Sequence, residues 1–143
     1  MVIMSSTIFN SQFENCMRLL VALDKLETAV TATELADADF AATYARHFGL
    51  GRTDLHGSTA FVNAIYTQRR SKAHEAIQLL VAHGYAYADH AGDVPRFTIS
   101  ESGAHLVSHV SSSYAQHYQR YVAAALAALR NDTLHLIGVK EEA

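Results

Sequence analysis

At 143 residues, half of them hydrophobic and only 17% charged, the chain is long enough to bury a core as one ordinary domain and too apolar to stay disordered. One cysteine excludes an internal disulfide framework, and one proline favours a largely helical architecture. Eleven Lys and Arg against fourteen Asp and Glu leave a net charge of -3, so no global basic field marks the chain as a nucleic-acid binder, and any such site has to be a local patch.

No apolar run approaches the roughly 20 residues of a membrane span. The start, Met1 to Thr7, lacks the basic flank and long apolar stretch of a secretory signal. A cytoplasmic protein is therefore expected, with no membrane partner.

In chain order, Ser11-Gln12-Phe13-Glu14 has the form of a capping box and predicts a helix start. Phe13, Met17, Leu20, Leu23, Leu26 and Val30 then recur at helical spacing, and Cys16, Leu19, Val21 and Ala22 widen the stripe until it covers more than one face. A helix over about 11–30 that packs against more than its own domain is the consequence. Thr31-Ala32-Thr33-Glu34 is a second capping box, followed by a face of Leu35, Phe40, Tyr44 and Phe48 that stops at Gly49. A glycine-rich loop from Gly49 to Gly57 precedes a cap at Ser58 or Thr59 and a short third helix, about Thr59 to Thr67.

The apolar pattern lapses over Thr67 to Lys72, which reads as a turn, and resumes at Ala73, Ala76, Ile77 and Leu80 before Gly84 closes the helix. Tyr85 to Asp89 and Arg96 to Ser100 then read as two strands around His90–Pro95. From Glu101 onward Leu106, Val110, Tyr114, Tyr121, Ala125, Leu126 and Leu129 describe a long helix, bent or broken near Ser111–Ser113. Its stretch Tyr121 to Leu129 is too apolar to face water alone. Asn131-Asp132-Thr133 breaks that helix, and a short apolar tail ends in Lys140-Glu141-Glu142.

The stretch Arg70 to Tyr85 resembles the recognition helix and following strand of the MarR family of bacterial transcription regulators, and Phe97-Thr98-Ile99-Ser100-Glu101-Ser102-Gly103 resembles that family's second wing strand running into the next helix. The resemblance implies a mainly α fold with a small β wing, a winged helix-turn-helix carrying N- and C-terminal dimerisation helices. Residues 1–143 would form one winged-helix domain, with a DNA-binding lobe over about 31–100 and dimerisation helices over about 11–30 and 101–143. It also implies a homodimer on double-stranded DNA, its recognition helices about 34 Å apart on a pseudo-palindromic operator. The wing is short, and only Asp93 and Arg96 match the family's acidic and basic wing residues.

With Ala73, Ala76, Ile77 and Leu80 inward, Ser71, His74, Glu75 and Gln78 face out with Lys72 at the flank, groups able to meet base edges or phosphates. Arg69 and Arg70, placed at the turn, are suited to backbone phosphates, and Arg96 to the wing contact. The plainer alternative is a solvated helix face on a winged-helix module that binds protein and has lost DNA.

Phe13, Phe40, Tyr44, Phe48 and Tyr114 offer apolar faces with phenol edges, suited to a small aromatic ligand that releases DNA, or simply to filling an interface core. His105 and His109 stand four apart on one helix, as in a zinc-sensing branch of the family, with Glu27, His47 or Glu14 as a third ligand. Two exposed histidines are the plainer reading, so no cofactor is expected unless zinc binds there. Cys16 is similar in position to the reactive cysteine of a peroxide-sensing branch, or is a small core residue. No nucleotide-binding glycine motif or nucleophile elbow is present, so an enzyme is not expected.

Overall fold

The structure, a computed structural model, describes residues 11–51, 62–134 and 136. Among them are helices α1 (Gln12–Leu26), α2 (Ala32–Thr43), α3 (Val62–Ala82), α4 (Glu101–Val107) and α5 (Ser113–Arg130), and strands β1 (Val30–Thr31), β2 (Ala86–Asp89) and β3 (Arg96–Ile99). The strands form one antiparallel sheet in the order β1-β3-β2. The protein is thus mainly α with a small β-sheet. The expectations on Met1–Thr7, on most of the Gly49–Gly57 loop, on the Ser58 or Thr59 cap and on the tail beyond Leu136 lie outside the described residues.

Capping sets the helix starts. Ser11 accepts from the Glu14 N-H at 3.1 Å. At Thr31 the reciprocal pair is complete, with Glu34 N-H on Thr31 Oγ1 and Thr31 N-H on Glu34 Oε1, both at 3.0 Å. Helix ends follow the glycines. Gly84, at φ 81°, closes α3 with Tyr85 N-H on the Leu80 carbonyl and Gly84 N-H on that of Val81, the two bonds of a Schellman motif. Gly49, at φ 77°, ends the Tyr44–Gly49 turns in the same way.

Three expectations change. The first helix stops at Leu26, where Glu27 turns left-handed at φ 54°, and Val30 goes to the sheet opposite Phe97. Both residues of β1 are β-branched, and the edge of β3 supplies their partner. The hairpin therefore becomes a three-stranded sheet. No turn separates two helices near residue 70, because α3 runs unbroken through Thr67–Lys72. The inward row there is Tyr66, Arg69, Ala73, Ile77 and Leu80, all buried, so the helical period continues with an arginine in the place of an apolar residue. The break expected near Ser111–Ser113 is present: the C-terminal stretch is two helices, α5 starting from Ser112, whose hydroxyl accepts from the Ala115 N-H at 3.0 Å.

The core lies where α1 packs on α3, α5 and α4 and where α2 packs on α5 and α3. Leu19, Leu20, Leu35, Phe40, Ile77, Tyr118 and Val122 are all at most 2% exposed, and each such large apolar side chain contributes about 2 kcal/mol by leaving water. Leu19 to Leu23 of α1, and Tyr121, Val122, Ala125 and Leu126 of α5, are covered within the single chain. The outer face of α5 carries Ala124 and Ala127 instead. Among the described residues most of the apolar surface that argued for dimerisation through these two helices is thus covered within the chain, with Phe13 of α1, 73% exposed, as the large side chain left open.

Candidate functional site

α3 presents Ser71, Lys72, Glu75 and Gln78 to solvent, with Arg70 and His74 half-buried beside them. The face borders a groove of about 520 Å³ between α3, the start of α2 and the hairpin, lined by Thr33, His74, Gln78, Val94 and Pro95 among others. Ser71, Lys72, His74 and Gln78 are thus brought together as the sequence reading expects.

The three arginines assigned to DNA contact, Arg69 and Arg70 on α3 and Arg96 on the hairpin, have partners within the chain. Arg69 turns inward, 5% exposed, with Nη2 on Asp39 Oδ2 and Thr43 Oγ1, both at 3.1 Å. It is a core residue and not a phosphate contact, because α3 has no turn there to swing it outward. Arg70 reaches back to α2, donating to Thr33 Oγ1 at 3.0 Å and to the Tyr66 hydroxyl at 3.3 Å. That hydroxyl donates to Asp37 at 2.7 Å, and burial, then this bond, pushes the Tyr66 pKa up to about 12. Burial likewise pushes the Asp37 carboxyl above its ordinary value, with the Tyr66 bond and Arg70 opposing it. Arg96 stands 3.7 Å from the Glu34 carboxylate, which Arg130 grips at 2.9 and 3.0 Å. The Arg130 bond, helped by the Thr31 N-H and by Arg96, holds Glu34 below the usual carboxylate range.

The five aromatic residues expected to line one ligand pocket are dispersed. Phe40 is the centre of a packed cluster, 5.4 Å from Tyr44, 5.8 Å from Phe48 and 5.2 Å from Tyr66 between ring centroids. Phe13 stands apart, 73% exposed, beside an open groove of about 600 Å³ between α1, α3 and α4 that Met17, Leu79, Leu106 and His83 also line. Tyr114 stacks on Tyr118 at 6.3 Å and borders a third, smaller cavity with Glu14 and Arg18. Helix packing separates these rings because Phe13 stands on α1, Phe40 on α2 and Tyr114 on α5.

His105 and His109 do meet, with ring centroids 4.9 Å apart, and His109 Nδ1 is 3.0 Å from the His105 carbonyl. Among the described residues no group of three or more His, Cys, Asp or Glu is placed to hold a metal ion. Neither Glu27, His47 nor Glu14 completes the pair. Cys16 is half-buried in the Phe13 groove, its Sγ 3.8 Å from the Ala76 carbonyl, and burial pushes its thiol up, against the thiolate a redox sensor needs.

The feature that sequence reasoning missed is a polar cluster in the core. Asp39, 2% exposed, accepts from Arg18 Nε at 2.6 Å and Tyr118 Oη at 2.7 Å on one oxygen, and from Arg18 Nη2 at 3.2 Å and Arg69 Nη2 at 3.1 Å on the other. Asn15 Oδ1 takes a further bond from Arg18 Nη2 at 2.8 Å. Burial alone would push Asp39 up, but Arg18 and then Arg69 more than offset it and hold the carboxyl well below its usual range. One carboxylate thus ties α2 to α1, α3 and α5. The signal available in the sequence was a charge set inside each apolar run, Arg18 before Leu19-Leu20 and Asp39 between Ala38 and Phe40.

No helix among the described residues is long and apolar enough to cross a membrane. What fold and surface define together is a small, mainly helical domain with a three-stranded antiparallel sheet, cross-tied by a buried ion cluster and bearing two open grooves. The chain belongs to the family of ABC-three component (ABC-3C) system Middle Component 2, whose model matches residues 8–138. No curated protein and no solved structure is detectably similar to it.

Proposed function

We propose that the protein is a winged-helix interaction module that docks onto another component of an ABC-three component system. The order α1-β1-α2-α3-β2-β3 with sheet order β1-β3-β2 supports the winged helix. The observation that carries the interaction reading is the state of the cations around α3. Arg69 is in the core, Arg70 bonds to Thr33 and Tyr66, and Arg96 faces Glu34, which leaves Lys72 as the remaining Lys or Arg on that face among the described residues. Duplex DNA is held mainly by neutralising phosphates, so one lysine on a chain of charge -3 is a poor electrostatic footprint. The family's designation as a middle component points instead to protein neighbours, and Phe13 beside its apolar groove is a suitable anchor.

A MarR-like homodimer on a pseudo-palindromic operator is the second reading, favoured by His74 and Gln78 lining the groove beside the hairpin. Co-purification of the chain with the other components of its system, together with a DNA mobility shift across salt concentrations, separates the two. A stable protein complex without a shift is expected. Salt-sensitive DNA binding with no complex overturns the interaction reading in favour of the regulator.

A further inference from the structure

The groove between α1, α3 and α4 carries no charge on its walls. Ten described residues line its volume of about 600 Å³ and none of them is Asp, Glu, Lys or Arg, although such residues make up 17% of the chain. The lining also has a helical rhythm. Phe13, Met17 and Leu20 of α1 stand four and three apart, and Leu79 and His83 stand four apart at the end of α3. On α1 the wall runs from Gln12 to Leu20, about 12 Å, or a little over two turns at 1.5 Å per residue.

Side chains at these spacings form ridges along each helix, and a furrow between two such helices is complemented by the ridges of a third. Charge then selects which face of that third helix enters. A carboxylate, phosphate or ammonium brought into the groove would lose its water without meeting an opposite charge on the lining. An apolar face loses nothing of the kind and covers Phe13, which is otherwise 73% exposed. We propose that the groove takes two turns of an amphipathic helix from another component of the system, with uncharged apolar side chains at i, i+4 and i+7 packed beside Phe13. This rests on the docking reading above and adds what the partner has to present.

The chain's only cysteine supplies the test. Cys16 lines the groove, so its modification by a maleimide, followed by mass on this chain, reports whether the groove is covered. In complex with the other components of the system the rate should fall roughly tenfold or more, since only the unbound fraction reacts. The complex should also survive a change from about 0.1 M to about 1 M salt, which shortens the Debye length from about 10 to about 3 Å. Met17→Lys and Leu79→Lys, which set a charge in the lining, should each weaken it roughly tenfold or more. A complex that leaves Cys16 as reactive as in the free chain, or one that dissociates in salt, overturns this proposal and leaves the docking reading standing. Absence of any complex overturns both. Protection that grows with the concentration of the chain alone assigns the groove to a second copy, and protection by phosphatidylcholine vesicles assigns it to a lipid surface; either result overturns the helix. Should a lysine variant fail to fold, the Cys16 and salt comparisons on the parent chain still decide.

Discussion

Asp39 is the residue on which most of the fold's polar economy rests. Asp39→Asn would leave two buried guanidiniums around a neutral amide, and the expected cost is about 3–5 kcal/mol, read from the urea midpoint with m unchanged. The same carboxylate predicts the acid limb of stability. Its folded pKa is depressed, and that of Glu34 is depressed too, so their contributions are complete above the unfolded carboxylate pKa of about 4 and are withdrawn as pH falls below it. Asp37 has the opposite sign, because its raised pKa favours folding only while it is protonated; Asp37→Asn should therefore lose less than Asp39→Asn at neutral pH. On the alkaline side, Tyr66 and Tyr114 are both pushed to about 12 from an ordinary 10.0, so stability present below pH 10 should fall as pH rises through that interval. Thermal melts at stepped pH check all of these signs, and a midpoint flat between pH 6 and 3 would count against the assignment of Asp39.

At the scale of elements, two glycines separate backbone conformation from packing. Gly84 holds φ 81° at the end of α3, and a Cβ there would meet nothing within 4 Å. Gly84→Ala should cost about 1 kcal/mol, all of it the left-handed backbone penalty. Gly103 sits in α4, where a Cβ would run into the Tyr85 carbonyl and the Ile99 side chain. Since that carbonyl also accepts from the Ser100 N-H at 3.0 Å and is held in place, Gly103→Ala should cost more than Gly84→Ala, and the reverse order in urea unfolding would contradict the packing. Ser112→Ala removes the N-cap of α5 and should cost about 1 kcal/mol. The caps at Ser11 and Thr31 and the stop at Gly84 were legible because each is a contact within a few residues. β1 and the continuity of α3 were not. Val30 pairs with Phe97, 67 positions away, and Arg69 looks like a surface residue until Asp39 on another helix is placed beside it.

For the whole molecule, the open surface matters more than the core. Phe13 is 73% exposed, so Phe13→Asp should move the unfolding midpoint by no more than about 0.5 kcal/mol. The same change should abolish co-purification with the partner component if the groove it borders is the docking face. Retained complex formation by Phe13→Asp would exclude that groove while leaving other surfaces open to the partner.

The caps at Ser11 and Thr31, the stop at Gly84, the mainly α class, the hairpin and the exposed face at Ser71, Lys72 and Gln78 are matters of local chemistry and periodicity, and the sequence by itself determined them. Which charges are structural and which are free was decided only by tertiary packing. Arg69, Arg70 and Arg96 read alike along the chain, yet one pairs with Asp39 in the core, one reaches Thr33 and one faces Glu34. The same holds for the aromatic residues, which share a type but were distributed by helix packing among a core cluster, a groove and a smaller cavity. The physical reason is common to both. A side chain's free energy depends on its neighbours in space, and here those neighbours come from helices 20 to 80 residues away in sequence, as in Arg18 to Asp39 at 21 and Tyr118 to Asp39 at 79.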